Sequence, residues 1–145
     1  MNAQRVDLYH DHECENLEAL LKQRIYEFNS QTTGYFDGRA LGGCMRSESG
    51  EIIAAFSGYT WGGCCEISHL WVRASHRGRG LGHALMRAAE LEAMRRSCEQ
   101  VVLSTHSFQS HAFYEQLDYK KQAVIQGQPK GHANIVYAKS LKDQN

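Results

Sequence analysis

The segment "SHRGRGLGHAL", Ser75 to Leu85, places three glycines and two arginines just ahead of a run of helix formers. A helix N-terminus carries unpaired N–H groups and a partial positive charge. Glycines let a ligand approach the main chain and permit positive φ. N–H groups turned inward around such a turn make an anion nest. Arg77 and Arg79 would add full charges and bidentate donors. The chemistry these residues suit is the holding of a phosphate group, and of a pyrophosphate in particular. Two common phosphate motifs do not fit. A P-loop would end in Gly-Lys-Ser/Thr, whereas His83 and Ala84 follow Gly82; the dinucleotide fingerprint would need glycine where His83 stands. The plain alternative is a flexible turn with solvated arginines, which leaves unexplained a helical glycine's cost of up to about 1 kcal/mol.

The elements that must position this turn can be read from periodicity. "RVDLYHD", Arg5 to Asp11, alternates like a strand, and Glu13 to Phe28 carries a helical apolar stripe of Leu17, Leu20, Leu21, Ile25 and Phe28. Asn29 to Gly38 is polar and glycine-flanked, which predicts a loop. Ala40 to Arg46, Glu51 to Tyr59 and Cys64 to Arg73 are predicted as a three-strand meander, with turns at Ser47–Gly50 and Thr60–Gly63. The period then changes: Leu81, Ala84, Leu85, Ala88 and Leu91 line one helical face. Val101 to Thr105 is a short strand, and strand–helix–strand over this length predicts a βαβ unit with parallel strands. Ser110 to Leu117 is a short helix; Tyr119 to Ile125 and Ala133 to Leu141 close the sheet. The expectation is one α/β domain over residues 1–145, a mixed sheet with antiparallel N-terminal strands.

Composition narrows the function classes. The chain has 145 residues, 16 basic against 16 acidic, so its formal net charge is zero. A short basic patch on a neutral chain speaks against nucleic acid as partner. No apolar run is long enough for a membrane span, and the first residues lack a signal-peptide pattern, which predicts a cytoplasmic protein with no membrane partner. Five cysteines, an odd number with no C-x-x-C pair, argue against a disulfide framework or a zinc site. "HDHE", His10 to Glu13, holds metal-ligand residue types without a third ligand or an open position, so no metal is expected.

"LWVRASHRGRGLGHALMRAAE", Leu70 to Glu90, resembles the acetyl-coenzyme A signature of the GNAT superfamily of N-acetyltransferases. That signature, Arg/Gln-x-x-Gly-x-Gly/Ala, is met by Arg77, Gly80 and Gly82, after a strand with Leu70 and Val72. "SFQSHAFYEQLDYKK", Ser107 to Lys121, is similar to the family's second motif, with Tyr114 in the place of its tyrosine. Phe108 and Gln109 stand where many members have asparagine, and Asp118 where many have glycine. "PKGH", Pro129 to His132, resembles a subgroup of small bacterial members. The resemblance implies an acyl-CoA N-acyltransferase fold whose two parallel strands splay apart. It implies a pantetheine arm paired with the main chain near Leu70, Trp71 and Val72, the pyrophosphate on Arg77, Gly78, Arg79, Gly80, Leu81 and Gly82, and Gln109 beside the cofactor.

The implied reaction moves acetyl from acetyl-CoA to a primary amine of a small molecule or peptide. A lysine-like amine must lose a proton, and the departing thiolate must gain one. Tyr114 is the candidate acid; alternatively its ring packs in the core and its hydroxyl meets a carbonyl. Glu66 is the candidate base, at a spacing from Arg77 that resembles members with a glutamate there. By period two it shares a strand face with Ser68, Leu70 and Val72; the alternative is a plain edge glutamate. His69 faces the other way unless a β-bulge intervenes, and is a reserve base. Tyr35, Phe36 and Asp37 fall where members place a loop over the acceptor: Tyr35 and Phe36 would wall the pocket and Asp37 would attract an ammonium group, or else the two aromatics cap the core from a loop. Trp61, at a hairpin tip, is pocket wall, dimer contact or cover. Homodimers are frequent in the family. A non-catalytic sensor that binds acetyl-CoA or CoA is the alternative from another functional class.

Overall fold

The computed structural model describes residues 4–142. It divides into two compact units, Met1–Phe36 and Asp37–Asn145. In the first, a 3-10 turn at Asp11–Glu13 leads into α1, Cys14–Thr33. The helix runs past the predicted end at Phe28 because "NSQTT" contains no breaker. It stops at Gly34, whose φ of 81° makes it a left-handed cap and whose N–H donates to the Ser30 carbonyl at 2.8 Å. The strand expected over Arg5 to Asp11 does not form; residues 4–10 have no regular structure.

The second unit is built on a six-stranded sheet: β1 (Arg39–Arg46), β2 (Ile52–Trp61), β3 (Cys64–Val72), β4 (Gln100–His106), β5 (Lys120–Gln126) and β6 (Ala133–Ser140). Their order across the sheet is β1-β2-β3-β4-β6-β5, and only β3 and β4 pair in parallel. Between those two the chain crosses through α2 (Leu81–Arg95); α3 (His111–Gln116) follows β4. The mixed α/β sheet with its parallel βαβ core is the predicted fold class. Boundaries differ from expectation by one or two residues in the strands.

One sheet face is dry. Leu41, Ala54, Phe56, Cys65, Ile67, Val101, Leu103, Ile135 and Tyr137 are buried there with Leu85, Met86, Ala89 and Ala93 of α2. The helix earns its position by amphipathicity, since its buried residues recur at three- and four-residue spacing. Truncating Met86, which is fully buried, would cost about 2–5 kcal/mol. Two polar devices fix α2. Buried Glu90 accepts a hydrogen bond from the Tyr119 hydroxyl at 2.8 Å and pairs with Lys139 Nζ at 2.9 Å. At the C-terminal cap of the helix, Arg96 Nη1 donates to the Ala40 carbonyl and to Thr60 Oγ1, both at 3.0 Å. All five cysteines are free thiols.

Candidate active site

β3 changes face part-way along. Ser57 is level with His69 and Gly58 with Ile67, so Ser68 is an extra residue, a bulge. Cys65 and Ile67 point into the core before it; Leu70 and Val72 pack on the core after it. Glu66 therefore shares its face with His69 and Trp71. The period-two expectation, which joined Glu66 to Ser68, Leu70 and Val72, is corrected by this one residue. Glu66 is exposed, and His69 Nδ1 lies 3.2 Å from Ser57 Oγ.

The parallel ladder is short. β3 and β4 pair only from Cys64–Gln100 to Ile67–Leu103. Beyond that, β3 stays with β2 up to Val72 and β4 stays with β6 up to His106. The two central strands thus part company, and the splay implied by the resemblance is present. Arg73 N–H donates to the Ile53 carbonyl at 2.8 Å. By strand alternation the main-chain groups of Trp71 also face β2, while those of Leu70 and Val72 face the opening.

At the end of β3 a 3-10 turn, Ala74–His76, leads to the glycine–arginine segment. Gly78 has φ 77° and Gly80 has φ 81°, conformations that L side chains rarely adopt, with open space where a Cβ would stand. Gly80 caps α2 without a side-chain hydrogen bond. The mouth of α2 thus offers first-turn N–H groups with no capping side chain over them. Arg77 bends back: its Nε donates to the Val72 carbonyl at 3.2 Å, tying the turn to the strand end. Arg79 is exposed. Gly82 has a different reason to be glycine, because a Cβ there would lie 3.2 Å from Phe113 Cζ. It lets α3 pack against the start of α2.

Tyr114, the residue after Phe113, is half-buried among aromatic rings, with Phe113, Tyr119 and Tyr137 at centroid distances of 5.1, 6.0 and 6.1 Å. Its hydroxyl has no hydrogen-bond partner among the described residues, in contrast to Tyr137, whose hydroxyl donates to Glu115 at 3.2 Å. Burial raises the Tyr114 pKa, which keeps the phenol protonated. A protonated, uncommitted phenol is a competent proton donor.

A strand pair opening onto a bare helix mouth is matched by similarity along the chain. The model of the acetyltransferase (GNAT) family matches residues 5–119. The chain belongs to this family. A blasticidin-S acetyltransferase of Streptomyces morookaense is 32% identical over 95 residues, 65% of this chain and 70% of that one. An acetyltransferase from Bacillus cereus ATCC 14579 superposes with a TM-score of 0.78 at 25% identity, covering 95% of this chain and 98% of that one. An aminoglycoside 6'-N-acetyltransferase complexed with coenzyme A shares the fold, with a TM-score of 0.63 at 18% identity over 91% and 81% of the two chains. The GNAT chain described here is therefore an acyltransferase, an acetyltransferase by kinship.

Other predicted site residues of this acetyltransferase lie apart. Gln109 turns its side-chain carbonyl inward: Oε1 accepts from His106 N–H at 2.8 Å and Thr105 Oγ1 at 3.1 Å, closing the end of β4. Asp37 Oδ1 accepts from Gly62 N–H at 3.0 Å, at the β2–β3 hairpin, and lines a cleft of about 200 Å³ with Arg39, Trp61 and Arg96. That places Asp37 beside the α2 side of the sheet, away from Glu66. Tyr35 and Phe36 are exposed and belong to the first unit. Asp118 takes the left-handed φ of 70° that glycine would favour. Among the described residues no cluster of three or more metal-ligand side chains exists, and no helix is long and apolar enough to cross a membrane. Sequence reasoning missed Gly58, Ser57 and Phe113. The first two carry no local signal, since their role depends on the opposite strand; Phe113 was hidden in an apolar helix face.

Proposed function

We propose that the protein is an acetyl-CoA-dependent N-acetyltransferase acting on the primary amine of a small molecule or peptide by direct attack. The observation that carries this is the parting of β3 and β4 after Ile67 and Leu103, directly before the open mouth of α2. The pantetheine arm would take the Leu70 main-chain groups and the Val72 N–H in place of a strand, the Val72 carbonyl being held by Arg77. The diphosphate would take the N–H groups of Gly80, Leu81 and Gly82, with Gly78 shaping the turn and Arg77 and Arg79 adding charge. Trp71 and Gln109 would contribute by holding β3 and the end of β4 in place. The name of the blasticidin-S acetyltransferase relative supports a small-molecule acceptor.

In the reaction the amine nitrogen attacks the thioester carbonyl carbon. The N–C bond forms, the tetrahedral adduct collapses and the C–S bond breaks. Glu66 takes the amine's proton, directly or through water, with His69 on the same face as reserve. Tyr114 gives its proton to the leaving thiolate. Calorimetry with acetyl-CoA, followed by free-thiol release over a panel of amines, tests the proposal. Saturable binding that weakens in Arg77→Ala, together with amine-dependent thiol release, is expected. Absence of binding to the folded protein overturns it; binding without turnover on any amine would make the chain a CoA-binding module.

A further inference from the structure

On the face of the sheet that carries Glu66, aromatic and imidazole rings stand at the ends of the two parting strands. Counting on from the last pair, Ile67–Leu103, and omitting the bulged Ser68, Trp71 and His106 are the same number of residues past the point where the strands part. His106 has the same strand parity as Val102, the partner of Glu66, so its side chain is on that face too. Its ring stacks on Phe108 with centroids 5.2 Å apart and planes 2° from parallel. His132 meets Phe108 edge-on at 4.9 Å. The stack is braced, because Gln109 Oε1 accepts from the His106 main chain and stands 3.2 Å from its Nδ1. Despite this order, Phe108 stays 58% exposed and Trp71 47% exposed. Two flat surfaces thus stand at the ends of the parting strands, on the face that carries Glu66 four pairing steps back along β3.

We infer that Trp71 on one side and the His106–Phe108–His132 stack on the other select an acceptor amine that carries a flat aromatic ring. This rests on the proposed acetyl transfer and names its acceptor class. The ring would lie against the exposed π-faces, and the ammonium end would point back along β3 toward Glu66, which stands about 13 Å away and would be reached through water. Aromatic contact of this kind is strong enough for about a tenfold preference over a saturated ring of the same size.

The test compares phenethylamine and tryptamine with cyclohexylethylamine, matched in charge and reach. At equal acetyl-CoA, kcat/KM for the aromatic amines should exceed that of the saturated one by about tenfold. Phe108→Leu, which keeps apolar volume without a π-face, should bring the ratio toward one, and Trp71→Phe should retain most of it. Ring binding is also read without turnover, as quenching of Trp71 fluorescence in a Trp61→Phe background. If no amine releases thiol yet the aromatic amines still quench, the transfer proposal fails and the ring site stands. If thiol is released with no aromatic preference and no quenching, the ring site alone is overturned. If Phe108→Leu weakens acetyl-CoA binding and leaves the amine ratio intact, the platform serves the cofactor's adenine and the inference is likewise overturned.

Discussion

A Cβ on Gly58 would stand 2.5 Å from the carbonyl oxygen of Glu66. The two strands can approach this closely only where β2 has no side chain, and the bulge at Ser68 lies directly beside this point. Gly58→Ala should therefore push β3 away and disturb the bulge. The expected loss is about 1–3 kcal/mol in urea denaturation. Acceptor turnover should fall further than acetyl-CoA affinity does, because Glu66, His69 and Trp71 would lose their common face. An alanine variant of unchanged stability and kinetics would refute the role given to Gly58.

The buried Glu90–Lys139 pair carries a second prediction. The side chains of both are largely inaccessible, at 4% and 10%. Glu90→Ala leaves an ammonium without its partner and should cost about 3–5 kcal/mol. Replacing both, as Glu90→Leu with Lys139→Met, should cost less than the single change. Equilibrium unfolding of the three proteins checks the order.

Alkaline pH should weaken the fold. Burial foremost, then Cys98, pushes the Cys65 thiol up from 9.0 to about 12. Burial foremost, then the Glu90 carboxylate, raises the Tyr119 phenol well above its usual value. Both groups are neutral when protonated, so the unfolded chain gives up these protons first. Their stabilising contribution is complete below pH 9 and is lost as pH climbs toward 12. The urea midpoint should decline between pH 9 and 11. The slope of that decline should flatten in Cys65→Ala and in Tyr119→Phe, and equal slopes in all three proteins would contradict the assignment.

Tyr114→Phe removes only an oxygen from a hydroxyl that has no partner among the described residues. Stability should change by less than about 1 kcal/mol. If the phenol protonates the leaving thiolate, kcat should drop about 10²-fold with little change in acetyl-CoA affinity. Thiol release under saturating acetyl-CoA separates the two. A full-speed variant would return Tyr114 to a packing role.

Much of this architecture was legible in sequence because its signals are local. The change from period two to helical spacing after Val72 located the βαβ unit, and the bare "HRGRGLG" segment located the mouth of α2. What was not legible depends on partners distant in sequence. Alternation in "RVDLYHD" marks a strand only where a neighbour completes its hydrogen bonds, and no strand forms there. The faces of β3 were misassigned after Ile67 because the bulge lies opposite Gly58 across the sheet, a close approach that nothing around Ser68 itself marks. Gly82 looked like room for a ligand, whereas its space belongs to Phe113. Asp37 looked like an ammonium attractor, whereas a hairpin amide occupies it.

The single inserted residue at Ser68 has an evolutionary corollary. Past that point, β3 would offer its peptide groups to one reactant and its variable side chains to the other. Peptide groups are the same whatever the residue, so on the proposed reaction substitutions at His69 and Trp71 would retune the choice of acceptor while the thioester donor is held as before. A family built on such a strand can diversify its amines and keep one shared acyl source.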